Sequence, residues 1–151
     1  MRRTAPLVGL TLAACLAFKP LSAEEALHLK VSELAAHPIQ ANGLSVTITG
    51  LNGHQMMASI SKWAGRARVK ITFENKGTSF QAFSPSDLAF VGGDGVQALP
   101  LYEINKADDT PPLAFRIAPA ARFSTEYVLT GRLQFPVKIY LGDRLVAQVT
   151  E

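Results

Sequence analysis

The sequence predicts an all-β protein, an antiparallel sandwich of seven to nine short strands with at most one short helix. The first indication is strict alternation, because in 67–74 apolar Ala, Val, Ile and Phe side chains alternate with Arg, Lys, Thr and Glu. That period of two is typical of a strand with one buried face. The second is turn chemistry between such segments, as in Asn75-Lys76-Gly77 and Gly142-Asp143, where Asn, Asp and Gly suit tight turns. Many short strands separated by turn signals are typical of a sandwich.

The strand pattern recurs along the whole chain after residue 24. The clearly alternating segments are 44–49, 67–74, 123–129, 135–141 and 145–149. Shorter strand candidates are 27–31, 78–83, 88–91, 96–101 and 113–117. One stretch breaks the pattern: from Gln55 to Trp63 the apolar residues recur at helical spacing. This stretch is either a short helix or an irregular approach to a strand.

The first 23 residues have the layout of a secretory signal peptide. Arg2 and Arg3 precede a mainly apolar run over 5–18, and Ala23 offers a small residue at the expected cleavage point. We therefore expect one domain, residues 24–151, exported to the periplasm or the extracellular space. The leader carries three of the 15 basic side chains and no acidic one, so the domain has 12 basic and 12 acidic groups. This neutrality argues against nucleic-acid binding and against a polybasic membrane-surface protein.

Cys15 supports a second interpretation of the leader. Leu12-Ala13-Ala14-Cys15 resembles a bacterial lipobox, in which the cysteine is lipidated and becomes the new N-terminus. Leu16 stands where a small or polar residue is usual, which favours cleavage after Ala23. Cleavage there removes the only cysteine, so the exported domain would have no disulfide. In neither case does the mature chain carry a transmembrane segment, because the apolar run is too short to cross a bilayer.

The segment Arg68 to Gly77 resembles the strand-Asn-x-Gly element of secreted bacterial immunoglobulin-like domains, a group that includes lipoproteins of unknown function and the immunoprotective extracellular antigen type. Ser84 to Leu88, Gly92 to Gly95 and Pro119 before the next strand follow in the same order. The resemblance covers roughly 44–150 and departs at Pro119-Ala120, where such domains tend to have Pro-Gly. It implies an immunoglobulin-like sandwich and export, and it implies no activity.

His54, Met56 and Met57 form a candidate metal-ligating cluster. Imidazole and thioether are ligands that suit copper, so a periplasmic copper-handling protein is one alternative function. The opposing interpretation is that the methionines pack in the core beside a loop histidine. Because His28 and His37 lie at unrelated spacings and no established metal motif fits, we predict no metal and no cofactor.

The long polar loop 102–112 is the predicted partner-binding site. Its candidate contact residues are Tyr102, Glu103, Lys106, Asp108 and Asp109. The acidic pair lacks the regular spacing of oxygen ligands found in calcium loops. A loop held by a rigid scaffold is instead a common place for binding residues, and the Pro111-Pro112 step stiffens its end.

The sequence contains no recognisable catalytic constellation. Gly92-Gly93-Asp94-Gly95 lacks the Lys-Ser/Thr ending of a phosphate loop and no helix pattern follows, so it is predicted to be a turn. No Gly-x-Ser-x-Gly motif occurs. We therefore predict a non-enzymatic binding domain of the bacterial cell envelope whose partner is a protein or an envelope component, with a membrane-anchored lipoprotein presenting the same domain as the alternative.

Overall fold

The computed structural model describes residues 25–53, 65–104 and 111–151, and nearly all the regular secondary structure in this part of the chain is β-strand. The strands are β1 (Leu27–Lys30), β2 (Ile39–Ala41), β3 (Leu44–Asn52), β4 (Arg68–Asn75), β5 (Gln81–Phe83), β6 (Leu88–Val91), β7 (Gln97–Ala98), β8 (Pro100–Glu103), β9 (Phe115–Ile117), β10 (Arg122–Leu129), β11 (Val137–Leu141) and β12 (Arg144–Thr150). Two short 3-10 helices, Val31–Ala36 and Pro85–Asp87, complete the regular structure.

The all-β prediction is confirmed, although the strands are more numerous than the seven to nine predicted. Eight of the twelve have four or more residues, and the excess comes from β2, β5, β7 and β9, which have only two or three. Such short pieces are too brief to show alternation in the sequence. The described residues contain no α-helix, and neither 3-10 helix has the length or apolarity needed to cross a bilayer. The stretch from Gln55 to Trp63 lies outside the described residues.

The strands form a sandwich of two five-stranded sheets and a separate two-stranded ribbon. The first sheet has the order β1-β12-β11-β6-β7, the second has the order β2-β3-β4-β10-β8, and the ribbon pairs β5 with β9. The described pairings are antiparallel, as predicted, except that β1 lies parallel to β12. Alternation shows which face of a strand is buried but not the direction of its neighbour, so the parallel pair was not predicted.

Alternation in β4 explains why the two sheets pack together. Val69, Ile71 and Phe73 are completely buried, whereas Lys70 between them is exposed. The same pattern in neighbouring strands directs one face of each sheet inward, where removal of apolar surface from water stabilises the fold. Both sheets contribute to one buried cluster, whose members include Val46, Ile48, Val69, Ile71, Phe73, Tyr127 and Leu129 from the second sheet and Leu88, Phe90, Val137, Ile139, Ala147 and Val149 from the first.

Some predicted boundaries were wrong for identifiable reasons. The strand predicted at 96–101 is divided at Leu99, where the chain leaves the first sheet and enters the second. The strand predicted at 135–141 begins only at Val137, because Pro136 has no amide hydrogen to donate to a neighbouring strand. The hairpin β2–β3 was not predicted, although its turn is Asn42-Gly43 with both residues at positive φ, which is a strong hairpin signal.

The ribbon closes one end of the sandwich with an aromatic cluster. The ring centroid of Phe73 in β4 lies 4.6 Å from that of Phe83 and 5.1 Å from that of Phe115, the two ribbon aromatics. Phe123 of β10 lies 4.8 Å from Phe115. These separations suit tilted and edge-to-face ring packing. The inner face of the ribbon is therefore anchored in the core, and its other face points away from it.

Asn75 connects β4 to the ribbon. Its side chain is completely buried, and its Nδ2 donates hydrogen bonds to the backbone oxygens of Ser79 (2.7 Å) and Ile117 (3.0 Å). Its Oδ1 accepts a hydrogen bond from the amide of Gly77 at 3.0 Å. One side chain thus forms hydrogen bonds with three backbone groups, and it fixes the turn that leads into β5.

At the opposite end, the segment 130–136 crosses from the second sheet to the first. The amide of Leu133 donates to the carbonyl of Gly53, and the amide of Gly93 donates to the carbonyl of Gln134, both at 2.7 Å. A Cβ at Gly53 would lie 2.6 Å from the Leu133 oxygen, so only glycine permits this approach. The sequence 92–95 forms a turn, as predicted, and not a phosphate-binding loop followed by a helix.

Candidate interaction surface

The predicted partner-binding loop begins at the end of the edge strand β8. Tyr102 and Glu103 lie in that strand and pair with Val128 and Tyr127 of β10, respectively. Lys106, Asp108 and Asp109 lie outside the described residues. The assignment of these five residues to a partner contact therefore stays a prediction, and the structure places only its first two members.

Glu103 takes part in a polar network at the margin of the core. Its Oε1 accepts a hydrogen bond from the hydroxyl of Thr125 at 2.9 Å. Burial raises the pKa of Tyr127, the nearby Glu103 carboxylate raises it further, and a side-chain hydrogen bond with Thr125 lowers it. Glu103 therefore forms contacts within the domain and is also a candidate for contact with a partner.

The candidate metal ligands and the lipidation site cannot be placed. His54, Met56, Met57 and Cys15 all lie outside the described residues. Within the described ranges, no group of three or more His, Cys, Asp or Glu side chains is arranged to hold a metal ion. The Nδ1 atom of His37, directly after the first 3-10 helix, lies 3.0 Å from the carbonyl oxygen of Glu33 within that helix, an interaction of local structure.

The ribbon and the residues just before its strands carry exposed apolar side chains that the sequence analysis did not single out. Phe80, directly before β5, is 55% exposed, and Leu113, two residues before β9, is 63% exposed. Leu113 follows Pro111-Pro112, the end of the predicted partner loop. The register pairs Ala82 with Arg116 and Phe83 with Phe115, so Phe80 and Leu113 lie near opposite ends of the ribbon.

Arg116 is held against Phe80 on this face. Its Cζ lies 4.6 Å from the centroid of the Phe80 ring, within the range of a cation–π contact. Arg116 is the middle residue of β9 and pairs across the ribbon with Ala82, and both residues are exposed. We call the surface formed by Phe80, Ala82, Leu113, Ala114 and Arg116 the ribbon surface.

A signal for this surface was present in the sequence. Phe80 and Phe83 are three positions apart in the predicted strand 78–83, and residues at odd spacing point to opposite faces of a strand. If one ring enters the core, the other must face away from it. The alternation around Arg116, between Phe115 and Ile117, also places the cation on the outer face.

An open groove of about 1060 Å³ lies at the other end of the sandwich. Two cations, Arg68 and Arg132, and two anions, Asp94 and Glu151, are among the residues that line it. The Nη2 atom of Arg68 already lies 2.7 Å from the Oε1 atom of Glu126. This balance of charges selects no single class of ligand, so the groove supports a functional argument less well than the ribbon surface.

Comparison of the chain with protein-family models and with curated proteins gives no match. Among solved structures, the yjhA protein from Bacillus subtilis superposes on this chain with a TM-score of 0.47 and 13% sequence identity. The superposition covers 76% of this chain and 80% of yjhA.

Proposed function

We propose that this chain is an exported, non-enzymatic binding domain of the bacterial cell envelope and that the ribbon surface is its contact site. Export is supported by the arrangement of Arg2, Arg3, the apolar run and Ala23 in the leader. A binding role is supported by the neutral charge of residues 24–151 and by the absence of a recognisable catalytic motif from the sequence. The partner is a protein or another envelope component.

The main observation behind this proposal is that Phe80 and Leu113 are exposed at a ribbon whose inner face is anchored in the core. Exposed large apolar side chains grouped around an arginine are typical of interaction sites, since aromatic residues and Arg are enriched at interfaces whereas Lys, Glu and Asp are depleted. The aromatic cluster and Asn75 hold the ribbon rigidly, and a preorganised surface loses less conformational entropy on binding.

Photo-cross-linking in cells tests the contact site. A photoreactive amino acid at Ala82, in the middle of the ribbon surface, should cross-link to a partner that mass spectrometry identifies. Binding of the purified partner to the purified domain should then weaken at least about tenfold in the double variant Phe80→Ser, Leu113→Ser, because truncated apolar anchors dominate interface energies. The matched control is Val96→Ser, which removes an apolar side chain that is 52% exposed outside the ribbon. Equal loss in the control and the double variant would contradict the proposal.

The mass of the mature protein tests export and separates the two interpretations of the leader. A chain that begins at Glu24 in the envelope or extracellular fraction supports soluble export. A chain that begins at an acylated Cys15 supports the alternative, in which the same domain is tethered to a membrane as a lipoprotein. Retention of the complete leader in the cytoplasmic fraction would contradict both.

A further inference from the structure

Arg116 is the sole charged residue in the sequence segments that form the ribbon and its flanks, 80–84 and 111–118. Among the described residues, no carboxylate forms an ion pair with it, and its recorded contact is with the Phe80 ring. Within the part of the chain that the structure describes, this exposed guanidinium meets an aromatic ring and no carboxylate, so it is chemically complementary to a single anion.

Arg116 is an exposed residue even though its guanidinium contacts the Phe80 ring. A guanidinium is planar, and its N–H donors point outward in that plane in a fork that matches a carboxylate. Packing on an aromatic ring also restricts the side-chain rotamers, so less entropy is lost when an anion binds. The Phe80 ring thus both positions the cation and offers an apolar surface beside it.

We propose that Arg116 binds an Asp or Glu carboxylate of a protein partner, and that apolar side chains next to that carboxylate pack on Phe80 and Leu113. This inference rests on the proposed function and assigns the chemistry of its partner. The position of Arg116 between Phe80 and Leu113 calls for an acidic residue with apolar neighbours in a short extended segment.

A protein carboxylate fits this surface better than a membrane or a nucleic acid. Attraction to anionic lipid depends on several basic residues near the surface acting together. Nucleic-acid binding likewise depends on many phosphate contacts from Lys and Arg. The ribbon surface presents one arginine, whereas a bidentate pair with one carboxylate is the geometry for which a single arginine suffices.

Selection from a random peptide library displayed on phage tests the inference. The mature domain, residues 24–151, is immobilised and peptides that bind it are selected; their affinities for the wild type and for the variant Arg116→Gln are then compared. We expect the selected peptides to contain Asp or Glu next to Leu, Ile or Phe. Their affinity should fall about tenfold or more on Arg116→Gln, because a charge-assisted bidentate pair is lost. Replacement of the peptide's Asp or Glu by Asn or Gln should cause a similar loss.

Arg122→Gln is the matched control. Arg122 is an exposed arginine in β10, 3.8 Å from Glu74, and its replacement changes the net charge of the domain by the same amount. We expect this variant to bind the selected peptides like the wild type. Arg116→Lys should recover only part of the affinity, because an ammonium lacks the planar fork.

The possible outcomes separate this inference from the proposed function. Selected peptides that bind Arg116→Gln as well as the wild type, or a wild-type selection without enrichment of acidic residues, would overturn the carboxylate assignment. If those peptides still lose affinity for the double variant Phe80→Ser, Leu113→Ser, the ribbon surface remains the contact site and only the assignment of a carboxylate to Arg116 is wrong. Arg116-dependent binding to phosphatidylglycerol vesicles, without any peptide enrichment, would replace the protein partner by a membrane.

Discussion

Replacement of Asn75 by Asp tests how the ribbon is attached to the core. The two side chains have nearly the same shape, but aspartate cannot donate the hydrogen bonds that Asn75 Nδ2 makes to the carbonyl oxygens of Ser79 and Ile117. Near neutral pH a carboxylate oxygen would instead face these two oxygens in a site with no solvent exposure. The remaining oxygen would still accept the hydrogen bond from Gly77.

The expected loss follows from these contacts. Each lost hydrogen bond costs about 1 kcal/mol, and an unsatisfied buried group adds about 1–3 kcal/mol. Asn75→Asp should therefore lower the free energy of unfolding by about 3–5 kcal/mol near neutral pH. Asn75→Ala introduces no charge but loses all three hydrogen bonds, so by the same rule it should lower the free energy of unfolding by about 4–6 kcal/mol. Such losses are a large part of the stability of a typical domain.

The Asp variant should also show a characteristic pH dependence. Burial beside two carbonyl oxygens disfavours the charged form, so the pKa of Asp at this position is raised in the folded state above its unfolded value. The folded variant then binds more protons than the unfolded chain, and its stability falls as the pH rises through this interval. The loss in free energy of unfolding relative to the wild type should therefore be smallest below the unfolded pKa of Asp and largest near neutral pH.

Urea unfolding of wild type and variants at acidic and neutral pH measures these differences. The matched control is Ser79→Ala, because Asn75 bonds to the backbone oxygen of Ser79, which alanine retains. We expect the control to stay within about 0.5 kcal/mol of the wild type. An Asn75→Asp deficit that is no larger at neutral than at acidic pH would refute the reasoning. So would an Asn75→Ala variant as stable as the wild type.

Two further predictions concern other parts of the sandwich. Gly53→Ala should lower the free energy of unfolding by about 1–3 kcal/mol, because its Cβ would lie 2.6 Å from the Leu133 oxygen. The control Gly131→Ala has open space around its Cβ and should leave the free energy of unfolding nearly unchanged in the same urea assay. In the folded state Tyr127 should keep its proton above the pH at which an unfolded tyrosine ionises, because burial raises its pKa. Stability should consequently fall as pH rises beyond the unfolded pKa of tyrosine, and less steeply in Tyr127→Phe; an identical alkaline dependence in both proteins would contradict this.

The long central strands could be predicted from the sequence because each has one buried and one polar face. In β4 the buried Val69, Ile71 and Phe73 and the exposed Lys70 follow the predicted alternation. The same physical reason explains why β3, β10 and β12 lie close to their predicted positions. Strands of two or three residues, such as β7, provide too few positions for a period to be recognised.

The ribbon surface could not be predicted as a unit, because β5 and β9 are far apart in the sequence and only their pairing brings Phe80 beside Arg116. The sequence indicates which residues of each strand share a face, but it does not give the register between the two strands. The predicted loop adjoins one residue of this surface in the sequence, since Leu113 directly follows its Pro111-Pro112 step. The partner contact of Lys106, Asp108 and Asp109 stays a prediction.

The parallel pairing of β1 with β12 has a consequence for the order of folding. Leu27 pairs with Ala147, so β1 can complete its ladder only after all the strands between β1 and β12 have been synthesised. Contacts between such distant residues carry a large loop-closure cost and slow the folding of β-proteins. A chain interrupted before Arg144 would leave both β1 and β11 without their β12 partner, and unpaired strand edges promote aggregation. Pairing of β12 with β1 and β11 therefore covers the strand edges through which the first sheet would otherwise aggregate.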